Sequence, residues 1–197
     1  MLKRFLSLAL VCALLLPCLA LAQTATLTTL DLGDLSIDID PNTPGQLGQK
    51  AEGTPLLQMF PAYLALGDET TNMIIQWTGE QMDIGSMTGV NLSLYATEVL
   101  EGFKEGFESS GLTIVDASLL SLDHVDVGGK QALSFDLFAT VDYSSLGAEY
   151  AGMQLDFYQR SYVVPVSDGA YAFVAVTLDQ SVLDAYISPI MATVHWN

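Results

Sequence analysis

Apolar and polar positions alternate with a period of two along much of this chain, a pattern typical of strands that bury one face. Between Asp34 and Asp40, for example, leucine or isoleucine occupies every second position, and serine or aspartate occupies the others. Short continuous apolar runs indicate further, more deeply buried strands. The predicted strands are Asp34–Asp40, Ala62–Leu66, Met73–Thr78, Leu112–Val125, Gln131–Tyr143, Met153–Val166 and Ala170–Leu178.

Two segments have the helical period instead. Over Ser93–Ser109, tyrosine, valine and phenylalanine recur at helical spacing along one stripe, and the glutamates lie mostly outside it. A second helix is predicted from Asp179 or Ser181 to about Ala192. Pro189 is expected to kink or divide this helix, because proline lacks the backbone N–H that a helix interior requires.

The order of these elements predicts an α+β fold, an antiparallel sheet with helices packed on it. Gly128-Gly129 and Ser167–Gly169 are turn sequences between apolar runs, so each predicts a β-hairpin. The Thr-rich residues 23–33 predict a flexible leader, and residues 34–197 predict a single domain.

The first 22 residues have the pattern of a secretory signal peptide. A basic start and an apolar run lead to the small-x-small cleavage site Ala20–Ala22. Cleavage there removes both cysteines, Cys12 and Cys18, so the mature chain has no disulfide and no thiolate ligand. Lipid anchoring at Cys18 is the alternative, but Pro17 stands where a lipobox needs a small residue. The prediction is a secreted protein, extracellular or periplasmic.

The chain is strongly acidic, with a formal net charge of −17. Removal of the signal peptide leaves 23 acidic residues against four basic ones, Lys50, Lys104, Lys130 and Arg160. This charge repels nucleic acid and anionic lipid and makes both poor partners, so no nucleic-acid partner is predicted. Cations and basic peptides remain possible partners, and solubility alone is the alternative explanation of the charge. No later run reaches the roughly 20 apolar residues of a membrane span.

Several stretches resemble the PsbP-like proteins, which include photosystem extrinsic proteins and many secreted bacterial proteins. Asp34–Pro41 resembles their opening strand, which ends at a proline, and Val125–Ala132 resembles the turn into the central hairpin. Gln159–Val164, Asp168-Gly169 and Tyr171–Thr177 resemble the paired strands before the terminal helix. The resemblance implies an α/β/α sandwich that serves as a non-enzymatic binding or accessory module. It transfers no site residue and no cofactor.

Asp38, Asp40 and Asn42 have the D-x-D-x-N spacing with which a calcium loop begins. Such a loop needs glycine at its sixth position and a bidentate glutamate at its twelfth. This chain has Thr43 and Gln49 there. A strand end with solvated carboxylates is therefore the competing interpretation.

His124 and Asp126 form a second candidate metal pair, because alternate residues of a strand share a face, whereas Asp123 points to the other face. A metal needs three or four ligands, so a polar strand end is the alternative. A small hydrolase or metal-dependent enzyme that uses His124 with Asp126 or Asp123 is the alternative function. Gly85–Gly89 lacks the G-x-S-x-G pattern of a nucleophilic serine, and His195 belongs to the end of the chain. No cofactor is predicted.

Tyr158, Arg160 and Tyr162 share one face of a predicted strand and form a candidate partner-binding edge. An exposed aromatic face suits a peptide or a glycan, whereas rings covered by helices would belong to the core. The resulting hypothesis is a secreted, non-catalytic binding or accessory module of the cell envelope, whose partner is an unidentified envelope or extracellular protein or glycan.

Overall fold

A central sheet of seven antiparallel strands organises the protein in the computed structural model, which describes residues 27–197. Its spatial order is β3-β4-β5-β9-β8-β7-β6, and a smaller sheet has the order β1-β2-β10. The strands are β1 (Thr28–Asp31), β2 (Leu35–Ile39), β3 (Gly45–Leu47), β4 (Pro55–Met59), β5 (Asn72–Thr78), β6 (Thr113–Val127), β7 (Lys130–Asp142), β8 (Gln154–Val166), β9 (Gly169–Thr177) and β10 (His195–Trp196). The predicted signal peptide, with Cys12 and Cys18, lies outside the described residues.

The helices lie between β4 and β6 and after β9. They are α1 (Tyr63–Leu66), α2 (Val90–Ser109) and α3, which consists of Gln180–Val182, a π-helical turn over Leu183–Ile187, and Ser188–Met191. Asp179 begins α3 as predicted, since its carboxylate accepts a hydrogen bond from the backbone N–H of Ser181 at 2.9 Å. The π-helical turn ends just before Ser188 and Pro189. A proline ring clashes with the carbonyl four residues earlier, so the widened turn accommodates the predicted irregularity.

Helix α2 packs its apolar stripe on one face of the central sheet. Phe107 lies 5.3 Å from Phe157 of β8 between ring centroids, and Tyr95 lies 6.3 Å from Phe135 of β7. These buried rings belong to a cluster that extends over β5 to β9. Burial of each such side chain contributes about 1.5–3 kcal/mol, so packing offsets the weak helix propensity of the two glycines in α2.

The opposite face of the sheet is covered by α3 and the small sheet. Leu35 and Ile37 of β2 and Leu183 and Ile187 of α3 are buried against this face, where they pack around Phe173 of β9. The result is three layers: α2, the central antiparallel sheet, and α3 with the small sheet. This arrangement confirms the α+β fold with helices packed on an antiparallel sheet.

Two local predictions are wrong. Thr28–Asp31, within the predicted flexible leader, forms β1 by antiparallel pairing with β2. The segment predicted as a strand at Ala62–Leu66 contains the short helix α1, which ends at Gly67 in the left-handed conformation with φ of 65°. Over only four residues, tyrosine, leucine and alanine are compatible with a strand or with a helix. Gly67 favours the helix, because glycine readily adopts the left-handed conformation that ends a helix.

Candidate partner-binding face

The second face of the central sheet is covered over β4, β5 and β9 and around Val127, Ala132 and Val164 on the outer strands. The rest of its outer half on β6, β7 and β8 carries mainly exposed and half-buried side chains. Strand registers align these residues in rows across the three strands. We call them the open face: Asp116, Ser118, Ser121, Asp123, Ser134, Phe138, Thr140, Asp156, Tyr158 and Tyr162.

Aromatic rings occupy the middle of the open face. Phe138 and Tyr158 are directly opposite each other on β7 and β8, with ring centroids 5.3 Å apart and planes inclined by 47°. Both residues are half-buried, and Tyr162 lies on the same face of β8, also half-buried. Tyr158 and Tyr162 therefore share a face, as the alternation predicts. Tyr158 and Tyr162 also pack at the edge of the cluster beneath α3 and the small sheet, so each of these two residues is partly covered and partly exposed.

Arg160, between the two tyrosines, is engaged within the protein. Its guanidinium donates two hydrogen bonds to Asp136, from Nε at 2.8 Å and from Nη2 at 2.7 Å. Nη1 donates to Asp184 at 2.6 Å and to Ser188 at 3.0 Å. The bond to Asp136 is the largest cause that raises the pKa of Arg160 above its usual value. Arg160 thus links α3 to the sheet, and its charge is neutralised from both sides.

Carboxylates surround the aromatic rings. Asp116, Asp123 and Asp156 are exposed on the open face, and Thr140 donates a hydrogen bond to Asp156 at 2.7 Å. The strand residues of the open face include no lysine, and its arginine neighbour is paired. Its potential is therefore negative, which favours cationic side chains. Ammonium and guanidinium groups also bind well to the faces of tyrosine and phenylalanine rings.

The candidate calcium ligands serve local structure. Asp40 accepts hydrogen bonds from the backbone and side-chain nitrogens of Asn42 at 2.8 and 3.1 Å, which closes a turn after β2. The carboxylate of Asp38 accepts a bond from Thr29 at 2.7 Å, across the β1–β2 pair. Within residues 27–197, no group of three or more histidine, cysteine, aspartate or glutamate side chains has the geometry to hold a metal ion.

His124 and Asp126 lie on β6 but bond to different elements. The Nε2 atom of His124 is 3.0 Å from the carbonyl oxygen of Met87, in the segment before α2. Because a carbonyl only accepts, this nitrogen carries the proton. Asp126 accepts from the backbone N–H of Gly129 at 2.9 Å and so stabilises the β6–β7 turn. His195 is exposed on β10 opposite Ser36.

Sequence reasoning did not single out Phe138, Asp116 or Asp156 as surface residues of one face. The signal was present in β7, whose buried apolar residues alternate with polar ones. Phe138 is an aromatic residue at one of the polar positions. A large apolar side chain at a position that otherwise faces water indicates an exposed contact surface.

No protein-family profile matches the chain, and no curated protein matches it. Among solved structures, cyanobacterial PsbP (CyanoP) from Synechocystis sp. PCC 6803 is similar with a TM-score of 0.56 and 13% identity. The alignment covers 92% of this chain and 99% of that chain. At this identity the similarity concerns the fold, and the chain has the PsbP-like fold.

Two further structures have lower scores. The Ran-binding protein Mog1p of Saccharomyces cerevisiae has a TM-score of 0.46 and 10% identity, with coverage of 88% of this chain and 96% of that chain. LpqN, involved in cell envelope biogenesis of Mycobacterium tuberculosis, has a TM-score of 0.39 and 14% identity, with coverage of 88% and 91%. Among residues 27–197, no helix has the length and apolar character needed to cross a membrane.

Proposed function

We propose that this protein is a secreted, non-catalytic binding module that holds a basic segment of an envelope or extracellular protein on its open face. Residues 1–22 serve as the secretion signal, and the folded residues from β1 to β10 form the binding domain. The observation that carries the proposal is the Phe138–Tyr158 pair, half-buried on an uncovered half of the sheet and surrounded by aspartates.

The chemistry of this surface selects the class of partner. Lysine and arginine side chains have apolar stems that cover aromatic rings and charged ends that reach the surrounding carboxylates. In an extended segment, side chains at alternate positions point to the same side. Basic residues at those positions therefore match the spacing of the side chains along each strand of the open face. Asp116, Asp123 and Asp156 then attract the partner at long range, and the rings provide short-range contact.

His124 is bonded to the Met87 carbonyl and Asp126 is bonded in the β6–β7 turn, and these separate bonds favour the non-catalytic proposal over an enzyme that uses both residues. The open face instead combines apolar contact area with charge, which is the character of a binding surface. The proposal of a non-catalytic protein is therefore based on the chemistry of the open face and not on the similarity of the fold to other proteins.

The test is isothermal titration calorimetry, in which the mature protein is titrated with a synthetic peptide of alternating arginine and threonine residues. Phe138→Thr with Tyr158→Thr removes both rings and keeps residues that favour strands. We expect this double variant to bind at least about tenfold more weakly, since loss of two aromatic contacts removes about 1.4 kcal/mol or more.

Leu94→Gln is the matched control, because Leu94 is 60% exposed on α2, away from the open face. The control should bind like the wild type. If the double variant also binds like the wild type while its circular dichroism spectrum is unchanged, the open face is not the binding surface.

A further inference from the structure

A lysine side chain fills an aromatic enclosure at the end of the sheet where several turns meet. Lys50, in the loop between β3 and β4, places its ammonium 4.8 Å from the ring centroid of Trp77 and 5.6 Å from that of Tyr171. The same ammonium is paired with Asp168 at 2.8 Å and with Asp34. We call Trp77, Tyr171, Asp34 and Asp168 the cage.

The cage is built on rigid elements that hold one another in place. Trp77 and Tyr171 are directly opposite each other on β5 and β9. Tyr171 is fully buried, and its hydroxyl donates a hydrogen bond to Asp34 at 2.7 Å. Asp168 lies in the tight turn between β8 and β9. The sheet therefore holds both rings, and the Tyr171 hydroxyl holds Asp34, independently of Lys50. The backbone of Asp168 is placed by the turn, and its carboxylate is bonded to Lys50.

The occupant, in contrast, comes from an exposed loop. Residues 48–52 are exposed, and the side chain of Lys50 is 30% exposed. Burial acts to lower the pKa of Lys50, but hydrogen bonds to Asp168 and Asp34 outweigh this effect and raise it. An ammonium held by two aromatic faces and two carboxylates is the arrangement by which proteins recognise ammonium ligands.

A groove opens beside the cage and shares two of its walls. It has a volume of about 370 Å³, within the range of small-molecule sites. Its lining residues are Asp34, Lys130, Val166, Ser167, Asp168, Trp196 and Asn197. Lys130 lies 5.2 Å above the ring of Trp196. Both tryptophans of the protein and two of its few lysines thus meet around the cage and its groove.

We propose that the cage and groove form a binding site for a small ligand with a primary or methylated ammonium group, and that Lys50 occupies the cage as an intramolecular competitor. The ligand's ammonium replaces that of Lys50 between the rings and carboxylates, and the rest of the ligand lies in the groove. Lys50 then swings out with its loop. This site is separate from the open face, and neither proposal depends on the other.

The first experiment titrates Lys50→Ala and the wild type with tetramethylammonium chloride, at ionic strength held constant with sodium chloride. Tryptophan fluorescence reports directly, because Trp77 is in the cage and Trp196 lines the groove. A competitor that fills a site for about nine-tenths of the time weakens apparent affinity about tenfold. We therefore expect Lys50→Ala to bind about tenfold or more tightly than the wild type.

Two further variants complete the series. Lys104→Ala removes a lysine paired with Glu101 on α2, far from the cage in the chain, and should bind like the wild type. Lys50→Ala with Asp168→Asn removes one carboxylate from an exposed turn and should lose the gain in affinity. Equal affinity of Lys50→Ala and the wild type, or of the single and double variants, would overturn the proposal.

A second measurement uses the wild-type protein alone, so its result does not depend on whether any variant folds. Amine acetylation followed by mass spectrometry is compared at rising tetramethylammonium concentration and constant ionic strength. Displacement from the cage should increase the labelling rate of Lys50 and leave that of Lys104 unchanged. A Lys50 rate that does not respond at saturating tetramethylammonium would show that the lysine is a fixed part of the structure.

Discussion

Arg160 of β8 and Asp136 of β7 form a bidentate ion pair on the sheet, with the side chains only 14% and 12% exposed. The same guanidinium reaches Asp184 and Ser188 of α3. One arginine thus connects two strands and the C-terminal helix, at the boundary between the covered and the open halves of the sheet face.

Replacement of Arg160 by methionine should strongly destabilise the fold. The buried carboxyl group of Asp136 would lose its ion-pair partner, and removal of one partner of a buried pair costs about 3–5 kcal/mol. Urea unfolding of the purified variant measures this loss. Lys104→Met, which breaks an exposed pair with Glu101, should cost no more than about 0.5 kcal/mol. Similar losses for the two variants would contradict the linking role of Arg160.

The fold should lose stability in acid partly through Asp68. Burial acts to raise the pKa of this carboxyl, but hydrogen bonds from Thr70 and Thr71 outweigh it and hold the pKa below 3.8. A lowered pKa in the folded state contributes stability that is present above the unfolded value and is lost as pH falls through the folded value. Acidification from pH 6 to pH 2, which crosses the pKa of about 3.9 for a free aspartate, should therefore make the protein easier to unfold.

Asp68→Asn tests this contribution. The variant should be less stable than the wild type at pH 6. The difference should begin to shrink near the ordinary aspartate value of about 3.9, where the unfolded chain takes up a proton, and should go on shrinking until the pH passes the lowered pKa of Asp68 in the folded wild type. Glu69→Gln is the neighbouring exposed control. A difference between Asp68→Asn and the wild type that stays constant down to pH 2 would exclude this linkage.

Gly169 is required by a close approach of two backbones. It has φ of 151°, and a Cβ added there would lie 1.9 Å from the carbonyl oxygen of Thr78. Alanine at this position should cost about 3 kcal/mol, because the β5–β9 pairing must shift to admit the methyl group. Gly85→Ala, where a Cβ would make an ordinary 3.5 Å contact with Asp83, should change the free energy of unfolding by less than about 0.5 kcal/mol.

Salt should raise the thermal stability of the mature protein. With a formal net charge of −17 for the full chain, like charges repel one another more in the compact state than in the unfolded chain. Sodium chloride screens this repulsion within a Debye length of about 10 Å at 0.1 M. A calorimetric scan series from low to moderate salt should show a rising Tm, and a constant Tm would contradict the expectation.

Strands β2, β5, β6, β7, β8 and β9 and helix α2 were predictable, because a single buried face imposes a periodicity on the sequence and a strand buried on both faces forms a continuous apolar run. The sequence predicts no strand over β3, β4 or β10. The failures have local causes. Thr28–Asp31 became a strand only through pairing with β2, and the four residues of α1 are too short to show a period. Alternation placed Tyr158 and Tyr162 on one face but did not reveal how far α3 covers the sheet.

The cage was beyond sequence reasoning for a different reason. Asp34, Lys50, Trp77 and Asp168 come from distant parts of the chain, and each is an ordinary turn, loop or strand residue in its own context. Only the convergence of turns at one end of the sheet brings them together. For Arg160 the sequence pattern suggested a partner contact, because the residue lies between two tyrosines on one face of a strand. In the structure its guanidinium forms ion pairs with Asp136 and Asp184 of the same chain.

The most direct test of the binding proposal compares two variants of equal charge. Asp116, Asp123 and Asp156 are changed to asparagine in one variant, and the exposed Glu69, Glu98 and Glu108 are changed to glutamine in the other. Both lose three negative charges, so any general attraction for the basic peptide falls equally. The account predicts that the open-face variant binds the arginine–threonine peptide at least about tenfold more weakly than the control variant. Equal affinities would mean that the peptide responds to net charge alone, and that result would contradict the open face as a specific binding surface.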